Sequence, residues 1–186
     1  MTNESTDILR IFNSAFNDLA KNPSVDLYPA DLEEDSARLN DDIIYNHINN
    51  GVYRCGFAKT QAAYEDAVTG LFNALDQMEE LLSKQRYLAG DGKRFCWIDL
   101  RLFMTLVRFD EVYVVYFKTN KKLIREYPNL FNYTKDVYQI AGVGSAISMS
   151  QIKTHYFSSH VALNGLSIVP AGMEIDYTAS HDRDRF

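Results

Sequence analysis

The sequence contains few residues that break helices and few that crosslink a chain. Its 186 residues include 4 prolines, 9 glycines and 2 cysteines. Cys55 and Cys96 provide neither a disulfide framework nor a Cys-x-x-Cys pair, so we expect a reducing compartment and a cytoplasmic location. The 12 tyrosines and 11 phenylalanines are numerous by comparison. Aromatic bulk with few helix breakers favours long helices around a large core or a ligand pocket.

Several classes of partner have no signal in the sequence. The net charge is −6 and no basic patch stands out, so nucleic acid is not an expected partner. No apolar run approaches about 18 residues and the N-terminus is not typical of a signal peptide, so we expect no membrane partner. The histidines have no metal-binding spacing, and we assign no metal site.

Apolar residues recur with the period of an α-helix, and the sequence predicts roughly five to seven helices and no sheet. Four predicted helices cover 5–20, 36–49, 60–83 and 98–117; Ser5 caps the first and Thr60 caps the third. A fifth begins at 127, with proline in its first turn, and ends before 142. A sixth begins at Ser148 or Ser150 and ends at about 157. Asn49-Asn50-Gly51 predicts a break before an aromatic loop over 51–57. Residues 161–186 lack periodicity.

Five ordered blocks of the sequence resemble one known family. The first block is Asn49-Asn50-Gly51-Val52-Tyr53-Arg54-Cys55-Gly56-Phe57-Ala58. The others are 85–91, then 99–103, then 105–110 with 112–113 and 117–118, and finally 127–130 together with 152–157. In their order and spacing they resemble the helical domain of the glutathionyl-hydroquinone reductases, the Xi-class glutathione transferases related to the Omega class. The resemblance covers residues 3–170.

The resemblance implies an all-α fold, a glutathione S-transferase C-terminal-domain-like helical bundle. In that family a thioredoxin-like domain precedes the helical domain, and this sequence resembles the helical domain with one leftover helix of the missing domain. The implied divisions are a remnant of the last thioredoxin-like helix (1–22), a linker (23–35), the helical domain (36–165) and a C-terminal tail (166–186). A truncated gene model, an isoform and a decayed copy each fit this arrangement.

The activity implied by the resemblance is the glutathione-dependent reduction of glutathionyl-hydroquinones. It implies glutathione as co-substrate, a quinone or hydroquinone as the small-molecule ligand, and a homodimer. The family's catalytic cysteine lies in a Cys-Pro-Trp-Ala motif, which this sequence lacks. No residue is therefore assigned a catalytic role, and we expect this chain to be inactive alone. The alternative is a non-catalytic helical binding or interaction module; a transferase without reductase activity is a weaker alternative.

Four residues are assigned binding roles through the resemblance. Tyr53 and Tyr156 match tyrosines that face the quinone, whose oxygen can accept a hydrogen bond from a phenol; the alternative is a core tyrosine. The family usually has two tyrosines in the last helix, so either Tyr156 or Phe157 faces the ligand. Glu4 and Ser5 match the pair that holds the γ-glutamyl end of glutathione. In this chain a plain helix cap is favoured, because the rest of the glutathione site is missing.

Other residues carry structural expectations. Cys55 is expected to be a passive buried thiol rather than a reactive one. Asp99 is expected to form half of a capping box, because Cys96 stands where glutathione transferases have serine or threonine. Three charged residues of a mainly apolar helix are expected to form internal ion pairs, with ligand contact as the alternative. They are Arg101, Arg108 and Asp110.

Overall fold

A computed structural model describes residues 2–186 of the chain. Every regular element in that part is helical, which confirms the predicted all-α class. The α-helices are, in chain order, α1 (Ser5–Ser14), α2 (Glu33–Leu39), α3 (Asn50–Phe57), α4 (Gln61–Leu82), α5 (Trp97–Arg108), α6 (Val114–Tyr116), α7 (Pro128–Gln139) and α8 (Met149–Ser159). Over the same residues, no helix combines the length and hydropathy that a bilayer span requires.

Helices α4 and α7 form where the sequence predicts them. The Thr60 hydroxyl accepts a hydrogen bond from the Ala63 N–H at 3.2 Å, which confirms the predicted N-cap of α4. Pro128 occupies the first turn of α7, where a missing N–H removes no helical hydrogen bond. Helix α1 is shorter than predicted and Glu4, not Ser5, is its N-cap residue.

The predicted break at Asn49-Asn50-Gly51 is wrong, and so is the predicted loop over 51–57. Helix α2 continues through π-helical turns (Asn40–Asn49) directly into α3. A Cβ at Gly51 would lie 3.5 Å from the Leu71 side chain of α4, and one at Gly56 would overlap the Phe117 ring. These glycines therefore allow close helix packing instead of a turn.

The predicted helix over 98–117 is buried as expected, but it is not a single α-helix. Helix α5 passes through π-helical turns (Phe109–Tyr113) into α6. Such widened turns frequently occur near functional sites. The two π-helical stretches contribute Asn49 and Tyr113 to one cleft.

Asp99 anchors the start of α5. Its carboxylate accepts hydrogen bonds from the Cys96 N–H at 2.9 Å, the Leu88 N–H at 3.0 Å and the Tyr133 hydroxyl at 2.9 Å. Burial raises the pKa of this carboxyl to about 6, although these donors oppose the rise. The carboxylate half of the expected capping box is therefore present, and it also fixes the loop that precedes α5.

The segment that follows α8 contains no α-helix, yet its last part packs into the bundle. Tyr177 is buried, and its hydroxyl donates to the Val107 carbonyl at 3.2 Å. The Arg183 side chain is also buried. Its guanidinium donates to three backbone carbonyls at the end of α4 and just beyond, those of Leu82, Gln85 and Arg86. A few polar anchors therefore hold this irregular segment against the helices.

Candidate functional site

A cleft of about 880 Å³ lies where the start of α1 meets α3, α5 and α8. Its volume is in the range of small-molecule binding sites. The polar side chains that line it include Ser5, Asn49, Tyr53, Arg101, Arg108, Tyr113, Gln151, His155 and Tyr156. Helices that are distant in the sequence therefore combine their polar groups in one hollow.

Three tyrosine hydroxyls form a connected cluster in this cleft. The hydroxyl of Tyr156 lies 2.6 Å from that of Tyr53 and 2.8 Å from that of Tyr113. The Tyr113 and Tyr156 rings meet edge to face, with centroids 5.4 Å apart. Helices α3 and α8 thus bring together the two tyrosines assigned to the ligand, and the π-helical turns add Tyr113.

The burial of the three tyrosines gives their hydrogen bonds a direction. Tyr113 is 3% exposed, and Tyr156 is the hydrogen-bond partner of its hydroxyl among residues 2–186. Tyr53, by contrast, is 39% exposed. Because each phenol has one O–H donor, the arrangement that satisfies the buried groups has Tyr113 donating to Tyr156 and Tyr156 donating to Tyr53. The O–H of Tyr53 is then free to donate into the cleft.

The phenols of Tyr53 and Tyr113 stay protonated near neutral pH. Burial is the main reason that the pKa values of Tyr53 and Tyr113 lie well above that of an ordinary tyrosine, and the neighbouring Tyr156 raises both further. The positive charge of Arg108 opposes the rise at both hydroxyls. The cluster can therefore donate a hydrogen bond to a carbonyl or phenolate oxygen over a wide pH range.

The last helix presents one of its two adjacent aromatic residues to the cleft. Tyr156 lines the hollow, whereas Phe157 is buried and packs against Tyr116 with ring centroids 4.7 Å apart. Of the two alternatives left open by the sequence, Tyr156 is the residue that faces the cavity.

The two residues assigned to glutathione are placed differently. The Ser5 hydroxyl lines the cleft and accepts a hydrogen bond from Arg101 Nη1 at 3.1 Å. Glu4 is exposed at the N-cap position of α1 and does not line the cleft. The Ser5 hydroxyl does not cap the helix, because Ser5 lies one residue inside it. The cleft and the start of α1 therefore share Ser5 and not Glu4.

The expected internal ion pairs do not form. Throughout residues 2–186, neither Arg101 nor Arg108 nor Asp110 has an oppositely charged partner within ion-pair distance. Asp110 is buried, but its carboxylate accepts hydrogen bonds from the backbone N–H groups of Ile124 at 2.6 Å and Arg125 at 3.2 Å. Both arginines are half-buried at the cleft, and the Nε of Arg101 is buried without a hydrogen-bond partner among the described residues.

The two arginines make different contacts in the cleft. Arg101 donates to Ser5, and its guanidinium carbon lies 4.9 Å from the centre of the Tyr45 ring. Arg108 donates to the backbone carbonyl of Met104, one turn earlier in α5. Arg101 is thus held between two side chains, while Arg108 is held by its own helix.

Neither cysteine lines the cleft. Cys55 and Cys96 are both buried, and burial raises the pKa of each thiol to about 11. The passive interpretation of Cys55 therefore fits its surroundings. Within the described residues, no group of three histidine, cysteine or carboxylate side chains is arranged to hold a metal ion.

Sequence reasoning missed Tyr113 as a member of the site. It lies in one of the blocks that carried the family resemblance, but a tyrosine in an apolar helix has the same pattern as a core residue. Only its partner on α8, 43 positions away, identifies it as part of the cluster.

Comparison with known proteins identifies relatives of the chain. The family description "Glutathione S-transferase, C-terminal domain" matches residues 61–136. The glutathionyl-hydroquinone reductase YqjG of Escherichia coli K-12 is 41% identical over 184 residues, which are 99% of this chain and 55% of that protein. The glutathionyl-hydroquinone reductase PcpF of Sphingobium chlorophenolicum is 44% identical over 172 residues, 92% of this chain and 54% of that protein.

Solved structures of related transferases also superpose on this chain. A Xi-class transferase from Natrialba magadii superposes with a TM-score of 0.94 at 42% identity, over 100% of this chain and 55% of that one. A glutathione-bound structure of YqjG from Escherichia coli K-12 superposes with a TM-score of 0.92 at 42% identity, over 100% of this chain and 59% of that one. The chain spans about half the length of the curated relatives it matches.

Proposed function

We propose that this chain, as a member of the glutathione S-transferase family, forms the hydroquinone side of a glutathionyl-hydroquinone site. Its homologues are glutathionyl-hydroquinone reductases and Xi-class transferases. The observation that carries the proposal is the tyrosine cluster. Tyr53 and Tyr156 share a hydrogen bond of 2.6 Å at the cleft. A donor that projects from such a cluster suits a quinone or hydroquinone oxygen.

In this proposal the phenols serve the leaving hydroquinone. A thiolate attacks the glutathionyl sulfur of the adduct, the carbon–sulfur bond breaks, and the hydroquinone leaves with the bonding electrons and takes up a proton at that carbon. A second glutathione then resolves the mixed disulfide. The Tyr53 O–H hydrogen-bonds a ring oxygen as negative charge develops on the ring, which stabilises the transition state.

We propose that the attacking thiolate is not supplied by these 186 residues. Cys55 and Cys96 are buried thiols with raised pKa values, and neither lies in a Cys-Pro-Trp-Ala motif. The isolated chain should therefore bind a hydroquinone without turning over a glutathionyl-hydroquinone. Measurable turnover by the purified chain that is lost when Cys55 or Cys96 is substituted by serine would contradict this assignment.

The glutathione end of the ligand is assigned to the start of α1. Ser5 lies at the edge of the cleft, and Glu4 precedes it at the N-cap of a helix whose positive end attracts a carboxylate. Glu4 itself does not line the cleft. Glutathione is the co-substrate in this scheme, and no metal takes part.

The binding proposal is tested with matched tyrosine variants. In anaerobic calorimetry with a simple hydroquinone, Tyr53→Phe should weaken binding about 3- to 10-fold, the usual effect of losing one neutral hydrogen bond. Tyr64→Phe removes a hydroxyl that bonds to the Lys118 carbonyl outside the cleft, and it should leave the affinity unchanged. Equal affinities of both variants and the parent chain would contradict the proposed role of Tyr53.

A non-catalytic interaction module is the second candidate, and one observation favours it. Helix α1 exposes apolar side chains, with Phe12 at 68% and Leu19, just beyond the helix, at 85%. An exposed apolar face of this kind supports association, including the proposed homodimer. Sedimentation velocity tests it: Phe12→Ser should reduce association if α1 forms the contact. Association without any hydroquinone binding would favour the module over the reductase site.

The domain divisions and the location are proposals of the same kind. The family match over residues 61–136 lies inside the proposed helical domain (36–165) and supports it. The divisions 1–22, 23–35 and 166–186 remain proposed. The two free, buried cysteines are compatible with the proposed cytoplasmic location, where thiols stay reduced.

A further inference from the structure

The charge of the cleft differs from the charge of the whole chain. The chain carries a net charge of −6, yet the described residues that line the cleft include Arg101 and Arg108 and no aspartate or glutamate. A ligand inside it therefore meets uncompensated positive charge. Because the chain as a whole is acidic, this positive charge is local to the cleft.

Both arginines of the cleft keep N–H donors without a protein acceptor among the described residues, and Arg108 is the one whose charge acts on the tyrosine hydroxyls. Arg101 is engaged by the Ser5 hydroxyl and the face of Tyr45. Arg108 has its own helix as partner, the carbonyl and the sulfur of Met104, so several of its N–H donors have no protein acceptor within residues 2–186.

Arg108 also acts on the same hydroxyls that the proposed function uses. Its charge opposes the burial-induced rise in the pKa values of Tyr53 and Tyr113. Arg108 and Tyr53 also line the same cleft, so a ligand whose ring oxygen is held by Tyr53 can direct an anionic substituent towards Arg108. A carboxylate on the ring is a substituent of this kind.

We propose that the cleft selects hydroquinones that carry a ring carboxylate, and that Arg108 is the residue that determines this selectivity. The inference rests on the proposed function, because the Tyr53 hydroxyl orients the ring. Arg108 pairs with the carboxylate through its free donors, and a charged hydrogen bond of this kind is stronger than a neutral one. Neutral hydroquinones bind through the tyrosine cluster alone.

The test compares two ligands that differ by one carboxylate, 2,5-dihydroxybenzoate and unsubstituted hydroquinone. Anaerobic calorimetry should show that the parent chain binds the carboxylated ligand about tenfold more tightly at low ionic strength. This preference should shrink as salt is added, because the ion pair is partly exposed.

Three arginine variants locate the preference. Arg108→Gln should bring the ratio of the two dissociation constants close to one, and Arg108→Lys should retain part of it because the charge remains. The matched control is Arg54→Gln, an exposed arginine next to Tyr53 in α3 that does not line the cleft. It should preserve the ratio.

The outcomes separate this inference from the proposed function. If hydroquinone binds and Tyr53→Phe weakens it, but the parent chain shows no preference for the carboxylate, the selectivity inference alone is overturned. A preference that survives Arg108→Gln also overturns it. If the carboxylated ligand binds through Arg108 and Tyr53→Phe has no effect, the tyrosine role fails while the anion site stands. If neither ligand binds, both proposals fail.

Discussion

Helix α1 and the C-terminal segment 171–186 lie at opposite ends of the chain and are held in different ways. Helix α1 is regular and amphipathic, yet none of its residues is buried. The C-terminal segment is almost without regular structure, yet Tyr177 and Arg183 are buried in the bundle. The first segment lies on the surface of the bundle, and the second is anchored within it.

The contacts explain the contrast. Helix α1 is joined to the chain that follows it by surface pairs such as Arg10 with Glu33 at 3.0 Å. Exposed pairs of this type contribute little to stability. The C-terminal segment contributes hydrogen-bond donors to backbone carbonyls of the bundle, those of Val107, Leu82 and Arg86. Amphipathic periodicity therefore predicts that a helix has an apolar face suited to packing, but it does not show whether another element covers that face.

Removing the Arg183 side chain should have the largest effect on stability. Arg183→Ala is expected to lower the free energy of unfolding by about 3 kcal/mol, because it leaves buried carbonyls without donors and opens a cavity. Urea unfolding followed by circular dichroism measures this loss. The control is Arg185→Ala in the same segment, whose pair with Asp182 at 3.0 Å is partly exposed. It should cost under about 1 kcal/mol. Similar small losses in both variants would mean that the segment is not anchored as described.

Asp99 extends the comparison to a buried charged anchor of opposite sign. Because burial raises its pKa to about 6, the folded protein holds this proton between about pH 4 and pH 6, where the unfolded chain has released it. Its contribution to stability is therefore present in full below about pH 4 and falls, by about 3 kcal/mol, as the pH rises from there through 6. Asp99→Asn should remove this slope from the unfolding free energy. A variant profile parallel to that of the parent chain would contradict the raised pKa.

The smallest effect is expected at the exposed face of α1. Phe12→Ser should change the unfolding free energy of the chain by under about 0.5 kcal/mol, because the ring is already 68% exposed. The same urea experiment measures it. A loss above about 2 kcal/mol would show that α1 is packed in solution, and the contrast between the two ends would disappear.

Local signals were enough to predict much of the bundle. The apolar stripe and the Thr60 cap predicted α4, and Pro128 predicted the start of α7. The break at Asn49-Asn50-Gly51 failed because glycine has two uses. It permits a turn, and it also permits a helix to approach a neighbour closely, as Gly51 does at α4. The neighbour is distant in sequence, so the pattern cannot distinguish the two.

The cleft was less predictable than the helices. Tyr53 and Tyr156 are 103 positions apart, and only the family resemblance suggested that they share a ligand. Arg101 and Arg108 were expected in ion pairs because the helix around them is apolar, but their side chains reach the cleft instead of the core. The C-terminal anchors were missed since two isolated residues, Tyr177 and Arg183, have no period to detect.

The most direct test of the central claim is a double-mutant cycle on the tyrosine cluster. Hydroquinone affinity is measured by anaerobic calorimetry for Tyr53→Phe, Tyr156→Phe and the double variant. If the hydroxyls act as one donor chain that ends at Tyr53, the double variant binds about as tightly as Tyr53→Phe alone. Losses that simply add, or no loss in any variant, would contradict a shared site.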